Sequence, residues 1–146
     1  MKSVLIVIEG VPVAKGRPKF ARRGNFVTTY TPEKTREYEN RVSIEARTAM
    51  RGMAPMIKPV KIDIQIFLPI PASYNKAKAQ SCREGKTVPT KKPDWENVAK
   101  SVCDAFNGIV WLDDSQVTDA HVSKRYSDSP CVVASVTELD LQSSGP

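Results

Sequence analysis

The residues best suited to chemistry lie between Lys92 and Val117, in the stretch KPDWENVAKSVCDAFNGIVWLDDSQV. Pro93 disfavours helix for the residue before it and Asp94 is a good cap, so a helix should begin at Trp95. Trp95, Val98, Ala99, Val102, Ala105 and Phe106 recur at three- and four-residue spacing as one apolar stripe, and Asn107-Gly108 supplies the stop. The opposite face is polar: Glu96, Lys100 and Asp104, four apart in series, stack along one side above Asp94. Beyond Gly108 the apolar run Ile109 to Leu112 reads as a buried extended segment that delivers a second acidic pair, Asp113-Asp114. The helix would be ~18 Å long and the extended run from Gly108 to Asp114 would reach ~20 Å, so a chain that doubles back returns the second pair to the start of the helix.

Carboxylates held that close raise one another's pKa unless a cation intervenes. Hard oxygen ligands from two or three of them, completed by water and a substrate phosphate, suit Mg²⁺. Such an ion makes a hydroxide nucleophile and stabilises the leaving oxygen of a phosphodiester, while Lys100 neutralises charge on the phosphate. The chemistry implied is metal-assisted phosphodiester hydrolysis, with no part for His, Ser or Cys. Taken singly, the same residues have plainer uses: an Asp before a helix is commonly a cap, Glu and Lys four apart a solvated pair, and Asp-Asp after a strand a turn. Their order and spacing together favour the site.

That combined pattern closely resembles the RusA family of Holliday-junction resolvases, found in bacteria and their phages. The family's Asp-x-Asp-Asn-x-x-Lys segment opening a helix, a further Asp on that helix and an Asp-Asp-x-Gln turn read here as Asp94-Trp95-Glu96-Asn97-Val98-Ala99-Lys100, Asp104 and Asp113-Asp114-Ser115-Gln116. The resemblance implies that Asp94, Glu96 and Asp114 are metal-binding acids, with Asp113 adjacent to them, and that Lys100 is the catalytic lysine. Glu96 stands where the family more usually has Asp. Further implications are Mg²⁺ as cofactor with Mn²⁺ as an alternative ion, branched DNA as substrate, a part in recombination and repair, and a homodimer. A four-way junction has near two-fold symmetry, so one site per subunit would deliver the two opposed nicks. Lys15-Gly16-Arg17-Pro18 and Thr31-Pro32, Thr35 and Tyr38-Glu39 are also similar to the N-terminal half of the family, so the resemblance covers most of the chain.

Charge is distributed unevenly. The chain of 146 residues has a net charge of +6. Its segments 13–36 and 71–92 hold thirteen Lys and Arg against two Glu, which leaves the remainder acidic. The first segment supplies Lys15, Arg17, Lys19, Arg22 and Arg23, and the second Lys76, Lys78, Arg83, Lys86, Lys91 and Lys92. These eleven are the candidate DNA-binding residues, because basic loops around an acidic pocket draw phosphates toward the groups that cut them. Phe20, Phe26 and Tyr30 lie in the first loop, where they would stack on bases opened at a branch point or be buried.

The elements that must position this site follow from periodicity. Ser3 to Glu9 reads as a core strand, 11–30 as a basic loop with a small hairpin turning at Gly24-Asn25, and 32–50 as a helix capped by Thr31 with Tyr38, Val42, Ala46, Ala49 and Met50 inward. Lys58 to Pro69 alternates as an amphipathic strand, 70–92 has no periodicity and reads as a mobile loop, and Val117 to Tyr126 with Cys131 to Leu139 reads as an antiparallel hairpin. The expectation is one compact α+β domain over 1–146, a mixed β-sheet with two main helices packed on it, homodimeric, with a frayed tail at 142–146. No apolar run is long enough to span a membrane, and the opening strand is too short for a signal peptide, so the expected location is cytoplasmic. Cys82, Cys103 and Cys131 are odd in number and scattered, which argues against a zinc site or a disulfide framework. No small-molecule cofactor is called for, and His121 reads as an ordinary strand residue. Two other classes compete with the nuclease: a catalytically inactive module binding junctions or single strands, and a metal phosphatase for small substrates, which the basic loops disfavour.

Overall fold

The computed structural model describes residues 2–17, 19–30 and 32–141; the Thr31 cap and the 142–146 tail lie outside them. The elements run β1 (Ser3–Glu9), β2 (Lys19–Arg23), β3 (Phe26–Tyr30), α1 (Glu33–Met50), β4 (Val60–Pro69), α2 (Lys76–Arg83), α3 (Trp95–Phe106), a 3₁₀ turn (Asp114–Gln116), β5 (Val117–Ser127) and β6 (Cys131–Glu138). The fold is α+β, a single domain built on a mixed sheet. β4 decides its architecture. Val60, Ile62, Ile64, Ile66 and Leu68 are all buried on one face, so this strand needs partners on both edges and a cover. The four-stranded sheet has the order β1-β6-β4-β5, with β4 parallel to β5 and antiparallel to β6, and β6 antiparallel to β1. α1 and α3 pack on each other and cover the buried face, with Tyr38, Val42, Ala46 and Met50 from α1 and Val98, Val102, Ala105 and Phe106 from α3.

Several local readings change. β5 and β6 are not a hairpin, because β4 lies between them. Ser127 sits opposite Pro69 and Cys131 opposite Phe67, so the short link crosses over the end of β4. Pro69 has no N–H to extend the ladder there. β1 gives Val4, Ile6 and Ile8 to the core as expected, but lies at the sheet edge with Leu5 and Val7 exposed. Segment 70–92 contains α2, capped by Asn75, whose side-chain oxygen accepts from the Lys78 amide at 2.8 Å. Cys82 is the only buried residue of that helix, which is why no apolar stripe announced it. The β2–β3 ribbon does turn at Gly24, whose φ of +61° favours glycine.

The run Ile109 to Leu112 is a turn, not an extended segment. Ile109 and Val110 amides both donate to the Phe106 carbonyl, and the Gly108 amide donates to Trp111 O at 2.8 Å, with Gly108 at φ +79°. Trp111 is fully buried with its ring edge-on to Phe106 at 5.5 Å, and its indole N–H donates to Asn107 Oδ1 at 2.7 Å. A single large ring fills the space that a strand would have crossed. Leu112, by contrast, is exposed. Replacing Trp111 with Ala should cost about 3–5 kcal/mol in urea unfolding. A loss under roughly 1 kcal/mol would show that this ring does not anchor the turn.

Candidate active site

The start of α3 has an unusual economy of carboxylates. Asp94 occupies the cap position with extended backbone, φ −68° and ψ 142°, yet its side chain makes no capping hydrogen bond. Glu96 sits in the first turn, exposed, and neither acid has a salt bridge among the described residues. Asp94 is thus the cap by position and backbone, with its carboxylate left free. Trp95 between them is 54% exposed, although its spacing put it on the apolar stripe. An aromatic ring left in water beside two free carboxylates is a surface feature that periodicity could not reveal.

The second acidic pair divides into two roles. Asp113 caps the 3₁₀ turn: its carboxylate accepts from the Ser115 amide at 3.0 Å, and the Ser115 hydroxyl and amide hold it below the usual carboxylate range. Gln116 completes the turn. Its side-chain oxygen accepts from the Leu112 and Asp113 amides, both at 2.9 Å, and its nitrogen donates to Met56 O at 2.9 Å and Lys58 O at 3.0 Å. Asp114 is exposed and has no salt bridge or side-chain hydrogen bond among the described residues.

The 3₁₀ turn packs against α3. Glu96, Lys100 and Cys103 share one face of that helix by their spacing. Burial, then the nearby charges of Asp114 and Asp104, push the Cys103 thiol up to about 12, with Lys100 opposing. Asp114 therefore lies on the side of α3 that carries Glu96 and Lys100. Its charge is felt at Cys103, on that face.

Asp94, Glu96 and Asp114 are hard, unengaged oxygen donors, and that chemistry fits Mg²⁺. As the side chains stand, no three of His, Cys, Asp or Glu among the described residues converge to hold an ion. Uncompensated carboxylates repel one another, and these are on exposed side chains free to turn.

The Lys15 side chain is engaged within the fold. Its ammonium lies 2.8 Å from Glu39 on α1 and 3.2 Å from Asp104 on α3, and Asp104 also lies 3.6 Å from Lys100. Its amide donates to Asn97 O at 2.8 Å, and Ser101 Oγ donates to Val13 O at 2.8 Å. Thr35 Oγ1 accepts from the Gly16 amide at 3.0 Å, and a Cβ on Gly16 would come within 2.9 Å of Pro32. The segment is thus wedged between α1 and the start of α3. Burial alone would lower the Lys15 pKa, but Glu39 and Asp104 outweigh it and the net shift is upward. The stabilisation is complete at neutral pH and is lost only as pH rises past the ordinary lysine range.

The sequence pattern of a known family, Endodeoxyribonuclease RusA, matches residues 9–137, which is most of the chain. The chain belongs to the RusA family. It is also similar to the uncharacterized protein YqaN of Bacillus subtilis (strain 168), with 35% identity over 141 residues, 95% of this chain and 99% of that one. RusA membership makes this a nuclease fold, and the motif acids gain a physical account. Asp94, Glu96 and Asp114 are the motif acids left free, whereas Asp104, Asp113 and Gln116 hold the surrounding structure together.

The basic residues of this RusA chain also divide. Arg17, Arg22, Lys76, Lys91 and Lys92 are exposed and make no salt bridge among the described residues. Arg83 pairs with Asp128 at 2.8 Å and Lys86 with Glu84 at 2.9 Å, both on the surface, and the Lys78 ammonium lies 4.1 Å from the Tyr74 ring centroid. The side chains of Lys19 and Arg23 lie outside the described residues. One basic residue escaped notice in the sequence: Lys124 of β5 donates to the carbonyls of Lys91 and Pro93, each at 3.0 Å. It clamps the backbone just before Asp94, and nothing in its local sequence signals this.

Replacing Lys124 with Met removes two charge-assisted hydrogen bonds worth on the order of 2 kcal/mol together. Amide hydrogen exchange should then rise across residues 91–97 while β4 and β6 stay protected. Unchanged exchange in that segment would contradict the clamp.

Proposed function

We propose that this protein is a Mg²⁺-dependent, structure-specific endodeoxyribonuclease that resolves four-way DNA junctions by paired nicks, as a homodimer acting in the cytoplasm on recombining or repaired DNA. The observation that carries this reading is the free state of Asp94, Glu96 and Asp114, in a family of endodeoxyribonucleases, among motif acids that otherwise have structural partners. A buried or paired acid would suit a structural motif; acids kept free at an exposed surface suit a ligand.

Asp94, Glu96 and Asp114 would hold Mg²⁺, which when bound supplies Lewis-acid stabilisation of the phosphodiester and lowers the pKa of water. Lys100, 61% exposed on the same helix face, places its ammonium against the phosphate and offsets the charge that builds there. Asp104, 3.6 Å away, restrains the Lys100 side chain, and its own position is fixed by Lys15. Arg17, Arg22, Lys76, Lys91 and Lys92 hold the phosphates on either side, so binding should weaken steeply with salt. Two copies related by a two-fold axis would present one such site to each of two opposed strands.

Nicking of a synthetic four-way junction is expected with Mg²⁺ and not with EDTA, and Asp114→Asn should lower the rate by roughly a thousandfold while sparing junction binding. Cutting that survives EDTA, or an Asp114→Asn protein as active as the parent, would refute the assignment. Binding without any cutting by the parent protein would instead mark an inactive junction-binding module. Lys100→Ala should slow cutting by about a hundredfold and weaken binding far less. Equal losses in rate and affinity would make Lys100 a docking residue.

A further inference from the structure

A cleft of about 310 Å³ opens immediately beside Asp94. Pro12, Pro89 and Pro93 give it flat aliphatic walls, Tyr74 and Tyr126 give it aromatic ones, and Lys91 and Lys92 stand at its edge. None of the residues lining it is acidic. Pro93 is part of its wall, and the Cα of Asp94, the next residue, is about 3.8 Å from that of Pro93. Its size is at the lower end of the ~300–1,000 Å³ range of small-ligand sites, which admits a single planar ring system and excludes a base pair.

The walls are held before any ligand arrives. Tyr74 and Tyr126 meet edge to face with centroids 6.2 Å apart, Lys78 covers the Tyr74 ring, and Lys124 ties down the carbonyls of Lys91 and Pro93. Proline and tyrosine rings present flat surfaces that tolerate any base, and stacking on them has value only for a base already out of its helix. Uncovered lysines at the mouth favour a polyanion over an apolar peptide or a lipid chain.

We infer that this cleft is the subsite for one unstacked nucleobase of the bound strand, that of a nucleotide flanking the phosphate presented to Asp94, Glu96 and Asp114, with Lys91 and Lys92 against the adjoining backbone. It rests on the nuclease reading for which phosphate is cut, and adds to it a place where the enzyme senses the base next to the cut. The cleft also explains why two lysines precede Asp94 without any acid to pair them.

The test uses 2-aminopurine, placed in turn at each crossover position of a synthetic four-way junction and along a short single-stranded oligonucleotide, with fluorescence read in EDTA. The parent protein should change the signal at one position. Ser73→Trp fills the cleft from an exposed rim position without removing a packed side chain, and Val11→Trp fills it independently from another wall. Each should reduce the fluorescence change roughly tenfold, with a much smaller loss in the salt-dependent affinity for duplex DNA. In Mg²⁺, cut positions on junctions varied beside the crossover should show a base preference for the parent protein that both variants flatten. No fluorescence change at any position, or a signal and base preference untouched in both variants, would overturn the subsite. Absence of cutting by parent and variants alike would contradict the nuclease reading alone, because fluorescence in EDTA still decides the cleft.

Discussion

Gln116 ties the turn that carries Asp114 to the sheet. One side-chain amide uses two acceptor and two donor positions on four backbone groups: the amides of Leu112 and Asp113, and the carbonyls of Met56 and Lys58. Those groups belong to the turn after α3 and to the entry of β4, so the link fixes the 3₁₀ turn against the central strand of the sheet. Trp111 provides the apolar half of the same anchor, fully buried against Phe106 at the end of α3. Asp114 follows directly from this fixed turn. It emerges beside the polar face of α3 while its neighbour Asp113 is consumed in capping.

The other side of the site is held by different chemistry. The segment from Val13 to Gly16 is pinned by Asn97 and Ser101 of α3 and by Thr35 of α1, and Lys15 closes an ion triad with Glu39 and Asp104 across the two helices. Lys124 reaches from β5 to the backbone before Asp94. Sheet, helices and loop thus each contribute one restraint around the start of α3 and the turn after it.

Much of this was legible in the sequence, and the failures have physical causes. Strict alternation in β4 and, apart from half-buried Ala49, the stripe of α1 are buried as read, since a period of two or 3.6 translates directly into one covered face. Strand order was not legible: a three-residue link looks the same whether it closes a hairpin or steps over the end of a neighbouring strand, and only the demand of β4 for two partners decides. The stretch from Ile109 to Leu112 was misread because four apolar residues carry no period, and one of them, Trp111, is large enough to be the whole buried content of a turn. α2 was missed because a helix with one buried residue has no stripe, although Asn75 was a usable cap signal. The motif acids could be found by spacing, but their division into free and engaged could not. That division depends on Ser115, Lys15 and Gln116, whose partners are set by tertiary folding.

On the proposed function, one ion is shared between the acids that open α3 and Asp114. The most direct measurement is a crystal structure of the protein equilibrated with Mn²⁺ and recorded at a wavelength where manganese scatters anomalously. Anomalous density should lie between the start of α3 and the 3₁₀ turn, with oxygens of Asp94, Glu96 and Asp114 about 2.1 Å from it and Asp113 still capping Ser115. Density at some other place, or an ion touching the helix acids with Asp114 turned away, would contradict the shared site.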